Sequence, residues 1–94
     1  MRSIQMKQLK EKLGQIALID VREESEYLEG HVPTAINIPL SVLDQRYSEI
    51  EGESYIICQS GMRSMRACQF LQAQGVEVTN VTGGTLAWDE ELEK

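Results

Sequence analysis

Short apolar runs alternate along the chain with segments in which apolar residues recur at helical spacing. Each short run has the length and character of a buried strand. The predicted strands are residues 16–20, 35–38, 54–58 and 76–81. The predicted helices are residues 6–13, 23–29, 41–47, 63–74 and 84–92. Three helices are followed by a glycine that can end them, at Gly14, Gly30 and Gly75. Ser41 is the expected N-cap of the helix over 41–47.

Strands that are separated by helical segments predict a parallel sheet, because a parallel pair needs a crossover long enough to hold a helix. No repeat, low-complexity tract or linker interrupts the alternation. The sequence therefore predicts one α/β domain over residues 1–94. Its centre is a mainly parallel β-sheet of about five strands, flanked by helices on both faces.

Composition and charge exclude several classes of partner. The chain has 94 residues, is 41% hydrophobic and carries a formal net charge of −6. Nucleic acids and anionic membrane surfaces attract basic proteins, so neither is an expected partner. No apolar run is long enough to cross a bilayer, and the first residues form no hydrophobic signal segment. We therefore expect a cytoplasmic protein.

The two cysteines, Cys58 and Cys68, predict neither a disulfide framework nor a metal site. His31 is the single histidine, and the chain has no Cys-x-x-Cys pair. No metal and no cofactor is expected. Cys68 lies on the apolar face of a predicted helix and is interpreted as a packing residue.

Cys58 lies where a predicted strand ends and a loop, residues 59–64, leads into a helix. Ligands of open α/β sheets bind at this edge. A tight loop before a helix turns backbone N–H groups inward to form an anion nest, and Gly61 permits the backbone conformation that such a loop needs. Arg63 adds a cation, and the segment 54–76 contains no Asp, Glu or Lys. These features predict a lowered pKa and a nucleophilic thiol at Cys58; the alternative is an ordinary buried cysteine.

Four motifs occur along the chain: CQSGMRS at 58–64, DVR at 20–22, GHVPTAINIP at 30–39, and GG at 83–84 followed by Trp88. In order and spacing they resemble the motifs of rhodanese domains. The first resembles the family's active-site loop, which a cysteine opens and an arginine closes. Thr34 departs from the pattern, since many members have a glycine there, but it lies in a turn remote in sequence from Cys58.

The resemblance implies a stand-alone sulfurtransferase that needs no cofactor. Cys58 would take a sulfane sulfur from a small-molecule donor such as thiosulfate, hold it as a persulfide and pass it to cyanide or a thiol. Cys58 and Arg63 are the implied catalytic residues. The implied substrate-binding residues are Gln59, Ser60, Gly61, Met62 and Arg63.

Two alternative functions stay open. A persulfide carrier or binding module, working with a sulfur-relay protein, needs the same loop but performs no turnover of its own. A cysteine-dependent phosphatase or an arsenate reductase is the more remote alternative. Four residues separate Cys58 from Arg63, one fewer than in those enzymes. The shorter loop suits one sulfur atom better than a phosphoryl group.

The remaining conspicuous residues are interpreted as structural. The resemblance implies an ion pair between Asp20 and Arg22 near the rim of the active site. His31 is expected to make a hydrogen bond that stabilises a turn, and Trp88 to pack the last helix onto the sheet.

Overall fold

Five parallel strands form one sheet in this computed structural model, which describes residues 2–94. The strands are β1 (Arg2–Gln5), β2 (Ala17–Asp20), β3 (Ile36–Asn37), β4 (Ser54–Ile57) and β5 (Val78–Thr82). They lie in the order β1-β5-β4-β2-β3, and every neighbouring pair is parallel. The predicted α/β class is confirmed, and the sheet is wholly rather than mainly parallel.

Helices and short helical turns form most of the connections. The α-helices are α1 (Met6–Lys10), α2 (Glu24–Glu29), α3 (Leu43–Arg46) and α4 (Met62–Ala73). Turns of 3-10 helix cover Leu40–Val42, Tyr47–Glu49 and Gly84–Ala87. The helix α4 directly follows the central strand β4, so its N-terminus lies at the carboxyl end of the sheet. Among residues 2–94, no helix is long and apolar enough to cross a membrane.

Each face of the sheet carries its own hydrophobic cluster. Side chains of β4 alternate between them, with Tyr55 and Ile57 on one side and Ile56 on the other. The cluster beneath α4 comprises Ile19, Val21, Ile38, Leu43, Ile50, Ile56, Cys58, Ala67, Cys68, Leu71 and Val78. The opposite cluster comprises Ile4, Met6, Leu9, Leu18, Val32, Ala35, Tyr55, Ile57 and Val81. Cys68 is fully buried in the first cluster, which confirms its interpretation as a packing residue.

The sequence pattern does not predict the edge strand β1. Its only buried residue is Ile4, which lies opposite Val81 of β5. A strand that pairs on one side only and buries one side chain leaves almost no apolar pattern in the sequence. The sheet therefore has an edge that local pattern analysis misses.

The predicted helix over residues 84–92 is wrong. Only the 3-10 turn Gly84–Ala87 forms, and Trp88, which ends it, has an extended backbone conformation. Gly83 and Gly84 have φ angles of 83° and 57°, outside the right-handed helical region. A helix continued to residue 92 would also place acidic side chains at its negative C-terminal end, which is unfavourable.

The last residues, 88–94, instead form an irregular strap that is held to the rest of the molecule by several contacts. The backbones of His31 and Glu93 exchange two hydrogen bonds of 2.9 Å in an antiparallel bridge. Lys10 of α1 pairs with the carboxylates of Asp89 and Glu90. Trp88 packs against the cluster around Leu9, as expected, although it does so from the strap and not from a helix.

Two helix ends also differ from the sequence-based expectation. The helix predicted over 6–13 ends at Lys10, because tighter i→i+3 hydrogen bonds replace the α-helical pattern beyond it. Ser41 is not an N-cap. It lies inside a 3-10 turn, and its hydroxyl donates to the carboxylate of Glu23 at 3.0 Å.

The turn before β3 contains both His31 and Thr34. His31 Nδ1 lies 2.9 Å from the Tyr27 carbonyl oxygen, which confirms the expected turn hydrogen bond. The two rings stack with their centroids 3.8 Å apart. Thr34 has a φ of 75°, a left-handed conformation that costs a residue with a Cβ about 1–2 kcal/mol. A glycine would adopt this conformation without that cost.

Asp20 and Arg22 form the expected ion pair at the carboxyl end of β2. Arg22 Nη2 donates to Asp20 Oδ2 at 2.9 Å, and Arg22 Nε donates to Asp20 Oδ1 at 3.1 Å. Arg22 Nη2 also donates to the Gly30 carbonyl oxygen at 2.8 Å. Both side chains are almost completely removed from solvent. The pair therefore joins β2 to the start of the turn after α2.

We expect Asp20→Asn to destabilise the fold by about 3–5 kcal/mol, because it leaves the buried Arg22 guanidinium without a counter-ion. Urea unfolding followed by circular dichroism measures this change. Glu49→Gln is the matched control, since it breaks the solvent-exposed pair with Arg46 and should leave the unfolding midpoint unchanged. Equal losses in the two variants would contradict the role assigned to the buried pair.

Candidate active site

Cys58 begins a tight loop at the carboxyl end of the central strand. The strand β4 ends at Ile57, and α4 begins at Met62. Gly61, the N-cap of α4, has a φ of 109°, which is open to glycine but strained for other residues. The sequence therefore turns from strand to helix within four residues, 58–61, at the edge of the sheet where ligands of such folds bind.

The loop points hydrogen-bond donors at the sulfur of Cys58. The Gly61 amide donates to Cys58 Sγ at 3.0 Å, and Ser64 Oγ lies 3.3 Å from the same atom. Cys58 is only 1% exposed, so no bulk water competes with these donors. The sulfur thus occupies a small nest whose walls are formed by the backbone and one hydroxyl.

This environment favours the thiolate. Burial is the largest single influence and raises the pKa of Cys58. Hydrogen bonds from the Ser64 hydroxyl and from the amides of Ser64, Gly61 and Ser60 lower the pKa and together outweigh burial. The net pKa lies below the ordinary value, in the direction that the sequence predicts. By contrast, burial raises the pKa of Cys68 to about 11, which keeps that thiol protonated and inert.

Ser64 and Asn80 extend the nest into the protein. The sequence pattern does not indicate this role for either residue. Ser64 Oγ lies 3.1 Å from the Gly61 carbonyl oxygen and 2.5 Å from the side-chain amide of Asn80 in β5. A hydroxyl has one hydrogen, so these neighbours compete with Cys58 for it. An ionised sulfur is the strongest acceptor among them and draws the hydrogen towards itself. Ser64 directly follows the arginine of the motif, which is the one sequence signal that could have identified it.

The turn Gly84–Ala87 forms hydrogen bonds with the backbone of the loop. Thr85 donates its amide to the Cys58 carbonyl oxygen at 2.8 Å, and Leu86 donates its amide to the Gln59 carbonyl oxygen at 3.1 Å. Gly84 allows this approach because a Cβ at that position would lie 2.4 Å from the Cys58 carbonyl oxygen. The GG pair at 83–84, which the sequence indicates only as a motif, therefore has a structural role: it fixes the backbone of the loop.

Arg63 does not point at the sulfur. Its Nη1 and Nη2 atoms donate to the two carboxylate oxygens of Glu26 in α2, at 2.6 Å and 2.9 Å. The hydrogen bond with Arg63 is the main cause that lowers the pKa of Glu26 to about 2. Within residues 2–94, no hydrogen bond joins Cys58 Sγ to Gln59, Met62 or Arg63. The predicted cation is present in the loop, but a carboxylate neutralises it.

Two depressions flank the loop and differ in character. One, of about 390 Å³, has no charged residue in its lining and includes the exposed side chains of Met62 and Met65. The other, of about 240 Å³, is lined by Arg22, Glu26 and Glu29 together with uncharged polar and apolar residues, Gln59 and Thr85 among them. No group of three His, Cys, Asp or Glu side chains within 2–94 could hold a metal ion. The chemistry that the site offers is that of a nucleophilic sulfur.

Comparison with known proteins identifies relatives of this loop and fold. The family model described as "Rhodanese-like domain" matches residues 5–91. A protein of Bacillus subtilis (strain 168) named "Putative sulfurtransferase YtwF" is 41% identical over 88 residues, covering 88% of this chain and 85% of that protein. A second protein of that strain, named "Putative sulfur carrier protein YrkF", is 39% identical and matches 81% of this chain but 43% of its own length.

A solved structure has the same fold along nearly its whole length. The crystal structure of a rhodanese-like domain protein from Staphylococcus aureus superimposes with a TM-score of 0.92 at 35% identity. The match covers 99% of this chain and 97% of that one. The five-stranded parallel sheet with its helices is therefore the architecture of that group of structures.

We expect Ser64→Ala to raise the pKa of the Cys58 thiol, because the variant removes the side-chain hydrogen bond that favours the thiolate. The pH dependence of the rate of alkylation by iodoacetamide measures this pKa. Ser60→Ala is the matched control, since Ser60 is exposed and acts on the sulfur through its amide, which the substitution keeps. A pKa that is the same in Ser64→Ala and in the wild type would contradict the assigned hydrogen bond.

Proposed function

This chain belongs to the rhodanese-like domain family, and on that basis we propose that it is a sulfurtransferase that carries a sulfane sulfur as a persulfide on Cys58. The observation that carries the proposal is the nest at the end of β4, where a buried sulfur accepts a hydrogen bond from the Gly61 amide and lies 3.3 Å from the Ser64 hydroxyl. Such a nest favours an anionic sulfur in any form, thiolate or persulfide.

The first step is a displacement at sulfur. The Cys58 thiolate attacks the outer sulfur of a donor such as thiosulfate and forms a new S–S bond. The S–S bond of thiosulfate breaks, and its electron pair leaves with sulfite. The negative charge of the thiolate passes to the terminal sulfur of the persulfide. The loop amides, which already surround the sulfur of Cys58, are placed to stabilise this charge.

The second step regenerates the thiolate. Cyanide or an acceptor thiolate attacks the terminal sulfur, and the electron pair of the broken S–S bond returns to Cys58. Thiocyanate or a new persulfide leaves with the sulfur. In this proposal the amides of the loop from Gln59 to Arg63 hold the transferred sulfur in both steps. No metal, redox cofactor or external proton donor is needed.

A persulfide carrier is the second candidate function. One relative is named a sulfur carrier protein, and a carrier needs the same nest. A sulfur-relay protein would then remove the sulfur in place of a small acceptor. Both functions suit a reducing cytoplasm, which we propose as the location because a free, nucleophilic Cys58 survives there.

We expect thiosulfate to add one sulfur atom, about 32 Da, to Cys58, since the reaction leaves a persulfide at that residue. Intact-mass analysis followed by peptide mapping detects the adduct. Cys58→Ser abolishes the adduct, whereas Cys68→Ser keeps it because the raised pKa of Cys68 keeps that thiol protonated. An adduct on Cys68, or none in the wild type, would refute the proposal.

Turnover separates the two candidate functions. With thiosulfate and cyanide in excess, a sulfurtransferase forms many equivalents of thiocyanate per chain, and Cys58→Ser abolishes this product. A carrier that depends on a partner protein takes up one equivalent of sulfur and forms no further product.

A further inference from the structure

We infer that Glu26 determines which sulfur donors the site accepts: by occupying Arg63 it disfavours doubly charged donors relative to singly charged ones. The inference rests on the proposed sulfurtransferase function and adds a specificity determinant to it. Glu26 acts through Arg63 and is a positioning residue, since it forms no hydrogen bond with Cys58.

The contact between Glu26 and Arg63 is bidentate. Its two hydrogen bonds measure 2.6 Å and 2.9 Å, and the two side chains are 33% and 35% exposed. Two parallel N–H···O bonds give both affinity and a fixed orientation. Arg63 is therefore held towards the carboxylate of Glu26 in α2, and it forms no hydrogen bond with Cys58 Sγ.

A second contact, independent of Arg63, also holds the side chain of Glu26. Glu26 is the N3 residue of α2, and its Oε1 atom accepts the backbone N–H of Glu23 at 3.1 Å in a capping box. The carboxylate is thus held by its own helix as well as by Arg63. A glutamine at this position can keep the capping bond while losing the charge.

The guanidinium groups of Arg22 and Arg63, the two arginines in contact with α2 and the loop, are each paired with a carboxylate. Arg22 is held by the buried Asp20, as Arg63 is by Glu26. The depression lined by Arg22 and Glu26 also includes Glu29, and the depression on the other side of the loop has no charged lining. A dianion that approaches Cys58 therefore meets amide dipoles and a net negative rim, whereas a monoanion meets less repulsion.

Two donors that share one reacting group provide the probe. Thiosulfate and methanethiosulfonate both present a sulfane sulfur bonded to a sulfonyl sulfur, and a methyl group in the second replaces one charged oxygen of the first. The Cys58 thiolate displaces sulfite from thiosulfate and methanesulfinate from methanethiosulfonate. Each reaction forms one S–S bond, breaks one S–S bond and leaves the same persulfide.

The experiment measures the second-order rate of sulfur loading on Cys58 by intact mass, with each donor at one fixed ionic strength. Glu26→Gln frees Arg63 from its carboxylate. We expect it to raise the rate with thiosulfate about tenfold relative to the rate with methanethiosulfonate, and added salt to shrink this difference.

Two controls isolate the pair from general charge effects. Glu24→Gln removes the same charge from an exposed position on the same helix and should leave the ratio of the two rates within about twofold of the wild type. Arg63→Gln combined with Glu26→Gln should abolish the gain with thiosulfate, because no guanidinium remains to be released.

The outcomes are distinct. A ratio unchanged by Glu26→Gln, or changed equally by Glu24→Gln, overturns the role of Glu26 and leaves the persulfide proposal standing. Absence of loading in the wild type with both donors overturns the proposed function itself, and this inference with it. Circular dichroism spectra that match the wild type establish that each variant is folded.

Discussion

An anionic sulfur that is almost completely buried must be compensated from within the protein, and the architecture of the site follows from this constraint. Cys58 is 1% exposed, and burial alone would raise its pKa. The compensation comes from the amides of Ser60, Gly61 and Ser64 and from one hydroxyl, all aimed at one atom. Hydrogen bonds to a charged acceptor are about twice as strong as neutral ones, so a few fixed donors outweigh the loss of water.

Donors can remain aimed at one atom only if the backbone that carries them is rigid. Here three parts of the chain hold the loop: two adjoin it in sequence, and one is distant from it. The strand β4 anchors its beginning in the sheet, and α4 anchors its end. The turn around Gly84 donates hydrogen bonds to the carbonyl oxygens of Cys58 and Gln59 and so fixes the peptide groups at the start of the loop.

The parts of this arrangement that depend on local sequence could be predicted, and the parts that depend on distant contacts could not. Buried strands and the loop at Cys58 follow from apolar runs and from a glycine at a strand-to-helix junction. The edge strand β1 buries only Ile4 and leaves no pattern. The final segment looks helical in composition but becomes a strap. Asn80, 16 residues from Ser64, and Glu26, 37 residues from Arg63, reach the site only through the tertiary fold.

The pairing of Arg63 with Glu26 changes the physical account of how an acidic chain holds an anion. A sequence with a net charge of −6 would need a strong local cation if charge alone stabilised the thiolate. The arginine beside the loop is instead neutralised, and oriented dipoles supply the stabilisation. Dipoles act over a short range and act on the atom they face. A nest built in this way therefore stabilises the sulfur of Cys58 without attracting anions in general, which suits the proposed transfer of a single sulfur atom.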